Sequence, residues 1–169
     1  PVDVVRNDDA LGTRQAVDHL VGLGHRAIAF VDGGANPGAE DRQAGYRAAM
    51  TGHGLAAEIR VVPGGYTEDE GAGAAQLLLS DRLPTAVIAS NDLSAIGVLD
   101  SMLRAGVRVP EDLSVVGYDD SRFARLPGID LTSVRQDVPQ MAELAVQGLI
   151  ERLELPAREP KDGALPPQL

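Results

Sequence analysis

Short runs of β-branched and aliphatic residues alternate along this chain with amphipathic stretches of about a dozen residues, a pattern that predicts crossover units and a parallel sheet. An opening strand over residues 3–6 leads into a helix that carries Leu11, Val17, Leu20 and Val21 and stops at Gly24, which can take the left-handed conformation beyond a helix end. Residues 27–31, 59–62, 86–89, 113–116 and 132–135 then read as five successive strands. Between them come helices over residues 39–53, closed by Gly54, from Thr67 through Leu77, Leu78 and Leu79, and from Asn91 or Asp92 through Ile96, Leu99, Met102 and Leu103 to Gly106. Helix starts are visible as caps: Thr67 has Glu70 three residues on, and Asp137 has Gln140. The last helix presents Met141, Leu144, Ala145, Leu149 and Leu153 at helical spacing. Pro156, Pro160, Pro166 and Pro167 then mark residues 156–169 as a connecting segment running toward an edge strand at the end of the chain. The expected fold class is α/β, a doubly wound, mainly parallel sheet flanked by helices.

Composition narrows what such a fold could do. A length of 169 residues suits one α/β domain, or one lobe with part of another. A formal net charge of -10 repels a phosphate backbone, so these residues are not expected to bind DNA themselves. With no cysteine, disulfides and thiolate metal sites are excluded. His19, His25 and His53 sit at helix ends or turns without a second ligand at metal spacing, so neither metal nor other cofactor is expected. His25, directly after Gly24, reads as a favourable cation beside a helix C-terminus. No apolar run approaches the roughly 20 residues of a membrane span, and the cytoplasm is the default compartment. Gly71-Ala72-Gly73 imitates a dinucleotide fingerprint, yet it lies inside the capped helix and Gln76 stands in the third-glycine place. There is no phosphate loop and no nucleophile elbow, and Asp119 and Asp120, as sequence neighbours, point different ways; an enzyme is not expected.

In an open doubly wound sheet, ligands bind beyond the carboxyl ends of the strands, where loops converge and helix N-termini point their amides. Hydrogen-bonding side chains fall at all five ends: Asp32 with Arg42 after the first, Tyr66 after the second, Asn91 and Asp92 after the third, Tyr118, Asp119 and Asp120 after the fourth, Arg135 and Gln136 after the fifth. Planar amides, carboxylates, a guanidinium and an aromatic ring suit a neutral polyhydroxylated molecule, whose hydroxyls both donate and accept. Arg42, Asn91, Asp119, Tyr66 and Gln136 are the candidate ligand-binding residues. Each also has a plain structural explanation. Asn91 is a good N-cap and Asp92 a good first-turn acid. Asp119 and Asp120 suit a turn, Arg42 a solvated helix face or a pair with Glu40, Tyr66 the rim of a loop, and Gln136 a connector beside the capping Asp137.

Specific strings then carry a resemblance. Val109-Pro110-Glu111-Asp112-Leu113-Ser114-Val115-Val116-Gly117-Tyr118-Asp119-Asp120 resembles the hallmark segment of the lactose-repressor (LacI/GalR) family of transcription regulators. His19-Leu20, Leu23-Gly24-His25-Arg26, Arg42 to Tyr46, Thr85 to Asp92 with Ala95 and Gly97, and Leu131 to Val134 with Gln136-Asp137 are similar to further family strings, so the likeness runs from about Val5 to Leu153. The resemblance implies a periplasmic-binding-protein-like effector domain in which Arg42, Asn91 and Asp119 match the effector-contacting arginine, asparagine and aspartate. Tyr66 matches an aromatic position that packs on the effector, and Gln136 a hinge-side position that can reach it. It further implies a small-molecule effector, a carbohydrate by preference although purines are also sensed in the family, and a homodimer that meets operator DNA only through a helix-turn-helix domain absent from these residues. Residues 8–134 would form the C-terminal lobe, and residues 137–155 a helix returning toward a mostly absent N-terminal lobe. Half a cleft should bind its effector weakly, and the apolar face of the last helix should drive self-association. The competing expectation is a sugar-binding protein of a transport system, which would share the fold.

Overall fold

A computed structural model describes residues 2–169. Their elements run β1 (Val4–Asn7), α1 (Asp9–Gly22), β2 (Ile28–Val31), α2 (Ala39–Gly52), a single 3-10 turn (Ala56–Glu58), β3 (Arg60–Val62), α3 (Glu68–Leu79), β4 (Ala86–Ala89), α4 (Asp92–Arg104), β5 (Ser114–Asp119), β6 (Thr132–Arg135), α5 (Val138–Glu154) and β7 (Asp162–Leu165). Five strands form one wholly parallel sheet in the order β3-β2-β4-β5-β6, and β1 pairs in parallel with β7 in a separate two-stranded sheet.

Side chains on a strand alternate between the two faces, and here that alternation sorts the core in two. Ile28 and Phe30 of β2, with Ala86 and Ile88 of β4, meet Val17 and Leu20 of α1 and Tyr46 and Met50 of α2. Ala29, Val31, Val87 and Ala89 meet Ala75 and Leu78 of α3 and Val98 and Met102 of α4. Helices therefore cover both faces, the condition under which parallel strands become continuous apolar runs.

Local chemistry explains where the helices begin. Asp8 accepts the Leu11 amide (3.0 Å), Asn91 the Ser94 amide (2.8 Å) and Asp137 the Gln140 amide (3.1 Å), while Thr67 and Glu70 form the full reciprocal capping box. Gly24, Gly54 and Gly106, with φ of 98°, 74° and 80°, turn the chain out of α1, α2 and α4. Gly71 and Gly97 let α3 and α4 cross backbone to backbone. A Cβ on Gly97 would lie 2.0 Å from the Glu68 carbonyl oxygen, and one on Gly71 2.1 Å from that of Ser94. Of the two glycines flanking Ala72, Gly71 thus serves to pack helices, whereas Gly73 faces open space.

Three features depart from expectation. β5 continues to Asp119 instead of stopping at Val116, with Gly117 pairing Ser133 and Tyr118 pairing Val134. The terminal strand sits inside the proline-rich segment and pairs with β1, and only a single bridge, Arg135 with Gln168, ties the tail to the large sheet. His25 is not a helix-terminal cation: its ring lies between the Thr85 hydroxyl (3.0 Å) and that of Ser114 (3.3 Å), and burial, helped by His19, lowers its pKa.

The smaller unit is held largely by polar contacts. Asp3, just before β1, accepts from Arg152 of α5 (Nε 3.0 Å, Nη2 2.9 Å), from Arg158 (Nη1 3.0 Å, Nη2 2.6 Å) and from the Lys161 backbone amide (2.8 Å). No residue of α5 is fully buried. Among the described residues no helix is long and apolar enough to cross a membrane.

Candidate functional site

Because β2, β4, β5 and β6 all run the same way, their carboxyl ends open on one edge, and β1 ends beside them through Asn7. Arg42, on the first turn of α2, is the most tightly held side chain there. Its Nε donates to Asp9 Oδ1 at 2.9 Å and its Nη1 to the Ser90 carbonyl at 2.5 Å. The guanidinium carbon lies 3.9 Å from the Tyr118 ring centroid and 5.5 Å from that of Tyr66. With 5% of its surface exposed, Arg42 is neither a solvated helix residue nor a partner of Glu40. Burial works against its charge, but Asp9 and the two phenols outweigh that, and its pKa is raised.

Asn91 is both cap and bridge. Its Oδ1 accepts the Ser94 amide, and its Nδ2 donates to the Tyr66 carbonyl at 3.0 Å, which leaves one hydrogen and one lone pair of the amide unspent. Tyr66 is half-buried. Its hydroxyl donates to the Pro37 carbonyl (2.8 Å), holding the ring over Gly33 and beside Arg42.

Asp119 and Asp120 are separated by their backbone. Their φ values of 113° and 49° are ones that residues with a Cβ seldom adopt, and the chain turns sharply there. Asp120 is drawn away to Arg125, with Nε to Oδ1 at 2.8 Å. Asp119 keeps one oxygen, Oδ1, for the Gln136 Nε2 at 2.5 Å. Burial pushes its pKa up to about 6, although Arg42 and Gln136 pull it down; Asp92 and Asp9 add to the rise. Gln136 accepts in turn from Asn7 Nδ2, so Asn7, Gln136 and Asp119 form a chain. The Asn7 Oδ1 and the Tyr118 hydroxyl are buried without a hydrogen-bond partner.

The structure therefore brings Arg42, Asn91 and Tyr66 into one contact group and Asp119 with Gln136 into another, the two meeting where Arg42 lies on Tyr118. Asp9 and Asn7 also belong to the edge, and sequence reasoning missed them. Asp9 reads as an ordinary first-turn acid, and only folding sets it against Arg42, 33 positions away. Asp92, buried to 1%, is structural: its Oδ2 accepts the Ser121 amide (2.7 Å) and its Oδ1 the Ser133 hydroxyl (2.5 Å), tying β6 and the loop after β5 to α4. Among the described residues no group of three or more histidines and carboxylates is placed to hold a metal ion.

A buried guanidinium stacked on tyrosine, a half-buried carboxylate and two oriented amides thus lie along one strand edge. Residues 17–169 match the family model described as a periplasmic binding protein-like domain. The chain belongs to that family. The crystal structure of a LacI transcriptional regulator from a Rhodococcus species superposes with a TM-score of 0.96 at 50% identity, covering 99% of this chain and 62% of that one. A LacI family regulator from Enterococcus faecium, solved with bound ribose, gives 0.90 at 28% identity over 98% of this chain and 62% of its own. Among curated sequences, the ribose operon repressor of Escherichia coli (strain K12) is 35% identical over 170 residues, 99% of this chain and 52% of that protein. The fold is the LacI-type, periplasmic-binding-protein-like one, and these relatives are named as transcriptional regulators. The chain spans about half the length of the curated relatives it matches.

Proposed function

We propose that this chain supplies one wall of the effector cleft of a LacI-type transcription regulator, sensing a small carbohydrate and altering operator binding by a separate helix-turn-helix domain. In this reading Arg42, Asn91, Asp119, Tyr66 and Gln136 contact the effector, residues 8–134 form one lobe, and α5 returns toward the other. The carrying observation is Arg42: a guanidinium 5% exposed, fixed by Asp9 and Ser90 and stacked on Tyr118, beside a carboxylate with an oxygen to spare. Polar groups held rigid before the ligand arrives reduce the entropy cost of binding. The ribose named for relatives supports a carbohydrate here. Effector binding then biases lobe closure and, through it, the spacing of two DNA-reading heads in a cytoplasmic homodimer. In this reading the protein binds its ligand and does not transform it, in keeping with relatives named as transcriptional regulators.

Calorimetry on the full-length protein with ribose and a panel of neutral mono- and disaccharides tests this. Arg42→Ala and Asp119→Ala should each weaken binding by about 10- to 100-fold, the worth of a hydrogen bond to a charged group, while far-UV circular dichroism stays native. Loss of the fold in both variants would make these residues structural. Light scattering tests the second copy, and a monodisperse monomer at high concentration would remove it.

A further inference from the structure

On the carboxyl edge of the large sheet, α3 and α4 have side-chain acceptors of their own at their N-termini. At α4 the Asn91 side chain takes the Ser94 amide, and at α3 Thr67 and Glu70 close the capping box, with Glu70 also accepting the Tyr66 amide at 2.9 Å. α2 is the revealing case. Its N-cap is Gly38, in the left-handed region at φ 78°, and no side chain of its own caps it. Asp9 of α1 stands beside that end, so close that a Cβ on Gly38 would lie 2.5 Å from its Oδ2, while its Oδ1 holds Arg42. One carboxylate thus sets negative charge close to the start of α2, where it disfavours an anionic ligand, and also neutralises the buried cation of the wall.

We propose that Asp9 is the charge-selecting residue of this cleft, making it choose uncharged polyhydroxylated ligands over phosphorylated or carboxylated ones. This deepens the carbohydrate reading and rests on it. With Arg42 paired, the charge left facing the ligand is the carboxylate of Asp119. An incoming phosphate meets that carboxylate and Asp9 at short range, in surroundings less screened than water. A neutral hydroxyl donates to the spare Asp119 oxygen at no such cost.

The test is binding of ribose and ribose 5-phosphate, and of glucose and glucuronate, to the full-length protein by calorimetry. The neutral member of whichever pair binds should be tighter by about 100-fold, the scale of a short-range like-charge contact in a partly desolvated site. Saturating inorganic phosphate should leave its binding unchanged. In Asp9→Asn the unpaired Arg42 should shrink the preference by about tenfold or more. A charged sugar that binds wild type as tightly as its neutral counterpart, phosphate that competes, or a folded Asp9→Asn that keeps the full preference each overturns the proposal. If Asp9→Asn does not fold, the wild-type ratio and the phosphate competition decide it. Binding of neither class, across the whole panel, removes the carbohydrate reading itself and this proposal with it.

Discussion

All four residues of β2 and all four of β4 are buried, whereas in α5 no residue is, and Val138, Leu149 and Leu153 stand 59%, 60% and 74% exposed. The large sheet closes two apolar layers upon itself with helices from both sides. The unit of β1, β7 and α5 instead gathers on one carboxylate, Asp3, with two arginines and a backbone amide around it. Burial of apolar surface is non-directional and cooperative, while an anchor of this kind is local and depends on protonation. The contrast places most of the candidate site on the body with the large apolar core: four of the five proposed contact residues lie between β2 and the end of β5.

The largest effect that could break this contrast is a core deletion. Phe30 is fully buried and stacks on Tyr46 with centroids 5.2 Å apart. Phe30→Ala should cost about 3–5 kcal/mol in urea unfolding, from lost transfer energy and the cavity left behind. Leu149→Ala on α5 should stay within about 0.5 kcal/mol. Comparable losses from the two would mean that α5 belongs to the same cooperative core.

Much of that core was legible because short apolar runs, helical periodicity and capping chemistry are local. The strand over residues 86–89 and the Thr67–Glu70 box stand as read. The end of β5 was not legible, since Gly117 in sequence looks like a turn. In the fold it is a strand residue that must lack a side chain: its Cβ would lie 2.4 Å from Asp92 Oδ1. The positions of Arg42, Asn91 and Asp119 could be assigned to one edge from strand polarity alone, but their partners could not. Asp9, Asn7 and Ser133 carry no signature of their own. They matter through contacts between elements far apart in sequence, and a single chain read in order holds no record of those.

A smaller effect separates recognition from stability at Asp119. Its folded pKa, about 6, lies above the ordinary value of 3.8, so between those values the native state holds a proton that the unfolded chain has released. The stabilisation from this group is complete below pH 3.8 and is lost as pH rises through about 6. Asp119→Asn should therefore flatten the fall in stability between pH 4 and 6 and leave the variant more stable than wild type at pH 7 by about 1–3 kcal/mol. Urea midpoints across pH 4–8 measure this. A slope unchanged in the variant would assign the proton to another group. Weakened ligand binding in a stabilised variant is the signature of a side chain kept for recognition, against the preference of the fold.

The smallest effect concerns Asp3, and it is local. The Arg152 hydrogen bond, then the Lys161 amide, the charge of Arg152 and the Arg158 hydrogen bond hold its carboxyl well below the usual carboxylate range, against the opposing pull of burial. For an acid with a lowered pKa, the contribution to stability is present above the ordinary value of 3.8 and lost only as pH falls through the lower, folded one. The anchor should therefore persist at pH 4, where unpaired carboxylates are already partly protonated. Native-state hydrogen exchange at neutral pH gives the decisive comparison. In Asp3→Asn the amides of β1, β7 and α5 should lose protection while those of β2 and β4 keep theirs, because a sub-global opening of the small unit leaves both apolar layers intact. Equal loss of protection in β2 and β4 would mean that the two bodies unfold as one, and that the charged anchor supports the site as directly as the core does.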